Sequence, residues 1–137
     1  MFFLVPYPMA CGFHGQRKTL KEKTGVIYSE GFPNNYTDGV DCSFSIEVIS
    51  ATSITLTFES FNLGESQNCS ADYVEVFDGA YSSVSPSLGK FCGKDIPAPV
   101  TATAYGHMLV KFVTNGKGQF PGFKASYKCK CEYDTKK

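Results

Sequence analysis

Apolar residues in this chain recur at every second position, in short runs broken by turn-forming residues. Phe44, Ile46 and Val48 alternate with Ser45 and Glu47; Ile54, Leu56 and Phe58 with Thr55 and Thr57; Val74 and Val76 with Glu75 and Phe77. Met108, Val110 and Phe112, with Leu109 and Lys111 between them, repeat the pattern, as do Phe123, Ala125 and Tyr127 with Lys124 and Ser126. Side chains of an extended strand point alternately to opposite faces, so each run offers one face to a core. Between the runs lie stretches 31–39, 62–71, 78–89, 94–99 and 115–122, rich in residues that suit turns. No helix-period stretch of convincing length and no internal repeat interrupts them. Many short strands separated in this way predict an all-β sandwich or barrel.

Six cysteines, Cys11, Cys42, Cys69, Cys92, Cys129 and Cys131, form an even set in a chain of 137 residues, the size of one domain. Such a set predicts disulfides and an oxidising, secreted or extracellular setting. Structural zinc wants ligand pairs on tight turns, whereas only Cys129 and Cys131 are close here and the two histidines, His14 and His107, are far apart. On one strand, residues two apart are about 6.6 Å apart at ~3.3 Å per residue, near the upper limit for a disulfide. A Cys129–Cys131 bond, exchange with Cys11, and bonding to a neighbouring domain therefore all stand open.

The 42% hydrophobic and 15% aromatic contents are those of a globular chain. Thirteen basic and thirteen acidic residues cancel, so no broad field gathers nucleic acid or an anionic membrane. The basic clusters Arg17, Lys18, Lys21, Lys23 and Lys128, Lys130, Lys136, Lys137 read as solvated ends. Two sequons, Asn35-Tyr36-Thr37 and Asn68-Cys69-Ser70, agree with a secretory route and mark Asn35 and Asn68 for glycosylation. Residues 1–10 are apolar but carry Pro6 and Pro8 and no basic leader, and are too short to span a bilayer. They read as a leader or an upstream remnant, followed by one domain over 11–128 and a tail over 129–137 that carries the extra cysteines. Residues 1 to about 24 show no strand alternation, and both ends are expected to fray.

Catalysis finds no footing in the sequence. No His-Glu-x-x-His helix, Gly-x-Ser-x-Gly elbow or phosphate-binding glycine loop occurs. His14 and His107 have no nucleophile at triad-like positions and read as ordinary exposed or edge residues. Most phenylalanines and tyrosines fall on strand periods and suit core packing; Tyr36, Tyr81, Tyr105 and Phe120 fall in expected loops, where they would face a partner. The chain reads as a binding protein and not an enzyme.

The segment Cys69-Ser70-Ala71-Asp72-Tyr73-Val74-Glu75-Val76-Phe77-Asp78-Gly79 resembles the most recognisable stretch of CUB domains: a cysteine, an acidic residue, a strand and an Asp-Gly turn. Gly25-Val26-Ile27-Tyr28-Ser29, Phe32-Pro33-Asn34-Asn35-Tyr36 and Cys42-Ser43-Phe44-Ser45-Ile46 precede it in that family's order. Leu88-Gly89-Lys90-Phe91-Cys92-Gly93, Met108-Leu109-Val110-Lys111-Phe112 and Gly122-Phe123-Lys124-Ala125-Ser126-Tyr127 follow it, so the likeness runs from about Cys11 to Tyr127. The resemblance implies an antiparallel two-sheet, jelly-roll-like β-sandwich with disulfides Cys11–Cys42 and Cys69–Cys92. The second bond would close a loop of about two dozen residues, a constraint of roughly 3 kcal/mol in the chain-entropy model.

The same resemblance implies a non-catalytic extracellular protein-interaction module, part of a larger secreted or cell-surface protein. Two alternatives follow from it: a stand-alone secreted protein similar to the spermadhesins, and an accessory domain of an extracellular protease. The expected partner is an extracellular protein or glycan, with no nucleic acid and no membrane insertion.

Many CUB domains bind calcium through a glutamate after a Phe-x-Leu element, an aspartate three residues after the third cysteine, and an aspartate after the Met-x-Val-x-Phe strand. Asp72 matches the second. At the first, Phe61-Asn62-Leu63-Gly64 leaves Glu65 displaced by one; at the third stands Asn115. Calcium affinity falls as carboxylates are lost, so no cofactor is certain, calcium is the one candidate, and Asp72, Glu65 and Asn115 are its candidate ligands. The alternative is that Asp72 hydrogen-bonds turn amides or a tyrosine such as Tyr36. Because loops on a rigid scaffold tend to carry binding residues, the binding-loop candidates are Tyr36, Glu65, Asp72, Tyr81 and Lys117.

Overall fold

The structure, a computed structural model, describes residues 10, 11, 16–103, 106–115 and 120–132. Its strands are β1 (Ala10–Cys11), β2 (Gln16–Leu20), β3 (Thr24–Ser29), β4 (Asp41–Glu47), β5 (Ala51–Asn62), β6 (Tyr73–Phe77), β7 (Ser87–Phe91), β8 (Val100–Ala102), β9 (His107–Val113) and β10 (Gly122–Cys131). They form two five-stranded sheets, β1-β3-β10-β5-β8 and β2-β4-β9-β6-β7. This is the expected all-β sandwich, with one difference at its edges: β1 pairs with β3, and β2 with β4, in parallel.

The alternation read from the sequence is what closes the sandwich. Phe44, Ile46, Val74, Val76, Met108, Val110 and Phe112 line one inner face; Ile27, Ile54, Leu56, Phe58, Phe123 and Ala125 line the other; all are buried. Phe123 sits among the rings, with Phe112 at 5.3 Å, Phe58 at 6.2 Å and Phe44 at 6.4 Å, each edge-on. Edge-on pairs satisfy the ring quadrupoles, and burying each phenylalanine contributes about 1.5–3 kcal/mol. One irregularity changes the phase: β5 and β10 slip register where Lys124 faces Ser60 and Ala125 faces Phe58. The extra residue, Glu59, lets both Phe58 and Phe61 turn inward.

Gln16–Leu20 and Ser87–Phe91 are strands that the alternation did not reveal. On β2 the inward positions are Gln16, Lys18 and Leu20, paired with Cys42, Phe44 and Ile46, so only one of three is apolar. An edge strand can keep polar side chains at inward positions because their ends reach water. At the other end of the chain, β10 continues through Cys131, beyond the domain boundary expected at residue 128.

The connections gather at opposite ends. Segments 30–40, 63–72 and 92–99, with residues 114, 115 and 120 of the β9–β10 connection, meet at one end through backbone bonds from Tyr36 to Phe120, Gly39 to Thr114, and Leu63 to Gly93. Segments 21–23, 48–50 and 78–86, with residues 103 and 106, lie at the other, where Val48 N–H donates to the Gly106 carbonyl and Cys129 N–H to that of Lys23.

Candidate functional site

At the first end the chain folds inward on Tyr36. Pro33 follows a cis peptide and Gly31 adopts φ +88, a conformation glycine takes without steric cost. Tyr36 lies beneath the loop, with its ring edge-on to Phe112 at 5.4 Å. Its hydroxyl donates to Asp72 Oδ2 at 2.7 Å and shares the proton with the Leu63 carbonyl at 3.1 Å. The Asn115 N–H donates to Asp72 Oδ1 at 2.9 Å. Tyr36 and Asp72 are 2% and 4% exposed. Burial above all, then the bond to Asp72 and that carboxylate's charge, hold the Tyr36 hydroxyl far above its ordinary ionisation range.

Asp72 therefore joins three connections as an acceptor, the role anticipated as the alternative to metal binding. Tyr36 is not the exposed loop residue that its position suggested: it is part of the core. Phe120, also expected to face a partner, is half-buried beside Tyr36 and packs so closely on Gly64 that no Cβ would fit there. Lys117, Tyr105 and His14 lie outside the described residues. Glu65 is exposed and lies against Gly93, next to the Cys69–Cys92 bridge. His107 opens β9 opposite Glu47, with its Nδ1 buried and unpartnered.

The other end presents a different chemistry. Tyr81 and Val84, in the β6–β7 connection, are 61% and 79% exposed. The Arg17 guanidinium lies 5.5 Å from the Tyr81 ring centre, and its Nη2 donates at 3.0 Å to both the Ala80 carbonyl and Ser45 Oγ. The loop is held in shape by Asp78 N–H to the Pro86 carbonyl, by Ser85 N–H to that of Tyr81, and by Thr103 N–H to Asp78 Oδ1. Five residues of β6 separate Asp72 from Asp78, about 20 Å over the six steps at ~3.3 Å per residue. Asp72 and Tyr81 thus belong to separate surfaces. Arg17 escaped the sequence reading because it sits on the unrecognised strand β2 and reaches Tyr81 only across the sheet.

Cys69 and Cys92 are bonded, with Cα atoms 5.4 Å apart, as are Cys129 and Cys131 at 5.5 Å. Cys42 is disulfide-bonded as well; the side chain of Cys11, its expected partner, lies outside those described. Residues 11–127 match the family described as CUB domain. The chain belongs to the CUB domain family.

Human cubilin is 40% identical over 119 residues, which are 87% of this chain and 3% of cubilin. The CUB2 domain of MASP-1 bound to Ca2+ superposes with a TM-score of 0.70 at 27% identity, covering 82% of this chain and 97% of that one. The full extracellular region of zebrafish Gpr126 superposes with a TM-score of 0.72 at 27% identity, covering 88% of this chain and 15% of that one. This CUB sequence thus spans a small part of the cubilin chain it matches.

The side chains of this CUB domain do not fit a carboxylate-built calcium site. Among the described residues, no three His, Cys, Asp or Glu side chains lie together in a way that could hold a metal ion. Both oxygens of Asp72 accept internal hydrogen bonds. Asn115 approaches Asp72 through its backbone N–H, a donor that a cation repels, and Gly64 stands where the family's glutamate would be. Calcium favours several hard anionic oxygens, and a single carboxylate falls short of that.

Proposed function

We propose that this CUB domain is a non-catalytic extracellular interaction module that contacts a protein partner through the β6–β7 loop end. The observation that carries this reading is the Arg17–Tyr81 pair beside exposed Val84. Tyrosine and arginine are the side chains that most often concentrate binding energy at protein interfaces. Here they are held in place by the bonds from Arg17 to Ala80 and Ser45, so little conformational freedom is lost on contact. The partner it suits offers an apolar side chain with an acidic group nearby. Contact of this kind uses no bridging cation, in keeping with the internal hydrogen bonds that both Asp72 oxygens accept. An extracellular setting is supported by the disulfides and by the Gpr126 extracellular region that shares the fold. No helix among the described residues is long and apolar enough to cross a membrane.

The test is a binding screen of the purified domain against a panel of purified secreted and receptor extracellular domains. The expected result is a partner whose affinity falls tenfold or more, roughly the effect of losing one interface anchor, for Tyr81→Ala and for Arg17→Ala, and is unchanged by EDTA. A partner lost on EDTA treatment or in Glu65→Ala, yet retained by Tyr81→Ala, would overturn it.

A further inference from the structure

We infer that Asn35 and Asn68 both carry N-linked oligosaccharides and that the two together cover the Asp72 end of the sandwich. The two sequons are far apart in the chain, but the connections that carry them are bonded to each other in the fold. Tyr36, the middle residue of the first, is bonded to Asp72 and Leu63. Cys69, the middle residue of the second, lies on the same 63–72 connection and is bridged to Cys92 beside it.

In each sequon the middle residue faces the protein and the acceptor faces water. The Tyr36 ring is buried while Asn35 and Thr37 on either side are exposed; Cys69 is half-buried while Asn68 and Ser70 are exposed. Asn68 has φ 54 within the short 3-10 turn Gln67–Cys69, a left-handed conformation that asparagine tolerates better than most residues. Its exposed side chain leaves a bulky substituent free to extend into solvent. Neither asparagine is part of the Tyr36–Asp72 contact, so carrying a glycan disturbs no bond described above.

The chemistry is a group transfer from a lipid-linked oligosaccharide pyrophosphate in the secretory route. The asparagine side-chain nitrogen attacks the anomeric carbon of the terminal N-acetylglucosamine. A C–N bond forms, the C–O bond to the pyrophosphate breaks, the lipid pyrophosphate leaves with that electron pair, and the nitrogen gives up one proton. No oxidant or reductant is needed. Two bulky, hydrated substituents on adjoining connections would hinder protein contact at this end and leave the Arg17–Tyr81 end open. The attachment itself rests on the sequons and their exposure, independently of the binding reading.

The experiment is secretion of the chain from a mammalian cell line, followed by intact mass measurement before and after peptide N-glycosidase treatment in heavy-oxygen water. The expected result is two glycans lost on treatment, with heavy-oxygen-marked aspartates at positions 35 and 68. Thr37→Ala and Ser70→Ala should each remove one glycan and leave the other. Folded, disulfide-bonded secreted protein with either asparagine unmodified would overturn the two-glycan cover. The wild-type mass decides this even if a variant is poorly secreted.

Discussion

The Tyr36 hydroxyl donates to Asp72 Oδ2 across 2.7 Å, and both residues are buried. This one bond ties the β3–β4 connection to the β5–β6 connection, and Asp72 passes the link on to the β9–β10 connection through the Asn115 N–H. Tyr36→Phe leaves the ring packing in place and removes a donor to a buried carboxylate. Leaving a buried polar group without its partner costs about 1–3 kcal/mol, more when that group is charged. Urea denaturation should show a loss in that range with an unchanged slope; a loss under 0.5 kcal/mol, roughly the effect of an ordinary surface change, would mean water replaces the bond.

Alkaline pH should act through the same group. The folded state holds Tyr36 far above, and Tyr127 at about 12 against, the ordinary tyrosine value of 10.0; burial is the leading cause in both, followed for Tyr36 by Asp72 and for Tyr127 by Glu22. A raised folded value means that the native state keeps its proton while the unfolded chain releases it. The stabilisation is complete below pH 10 and declines as pH rises from there through the folded values. Thermal melting followed from pH 8 to pH 12 should fall above about pH 10, and less steeply in Tyr36→Phe. Equal slopes in the two proteins would remove Tyr36 from this explanation.

Removal of the Cys69–Cys92 bridge by a double Cys→Ala change should cost roughly 3 kcal/mol, since the bridge closes a loop with sequence separation 23. The Cys129–Cys131 bridge spans a separation of only 2, so the same change there should cost markedly less. Paired denaturation curves check the order; a larger loss at Cys129–Cys131 would contradict it.

Arg17→Ala and Tyr81→Ala should leave stability nearly intact. An exposed cation–ring contact contributes about 0.5–1 kcal/mol, and neither side chain belongs to the buried cluster. Melting temperatures should shift by a few degrees at most for a domain of this size, about 2–4 °C per kcal/mol. A cooperative loss of structure in either variant would show that the loop is part of the fold's support.

The strands of the two inner faces were legible because alternation survives wherever one face is buried: β4, β5, β6, β9 and β10 stand where Phe44, Ile54, Val74, Met108 and Phe123 announce them. β2 was not legible because two of its three inward residues are Gln16 and Lys18, polar side chains that only an edge position accommodates. For the same reason the Arg17–Tyr81 contact was hidden, since it depends on a sheet pairing between distant segments. Tyr36 was misread because its neighbours are turn formers; that a loop tyrosine folds inward becomes visible only once Asp72 and Leu63 are brought beside it. Asp72 itself was recognisable from its place after Cys69, but its bond from the Asn115 N–H depends on bringing distant segments together.

Calcium titration tests most directly whether Asp72 serves as an internal acceptor. Calorimetry of the folded domain with calcium in the millimolar range, the weak end for extracellular sites, should give a flat trace, and the melting temperature should be the same in calcium and in EDTA. Saturable heat that disappears in Asp72→Asn, together with a calcium-dependent rise in melting temperature, would contradict it and restore Asp72 as a metal ligand.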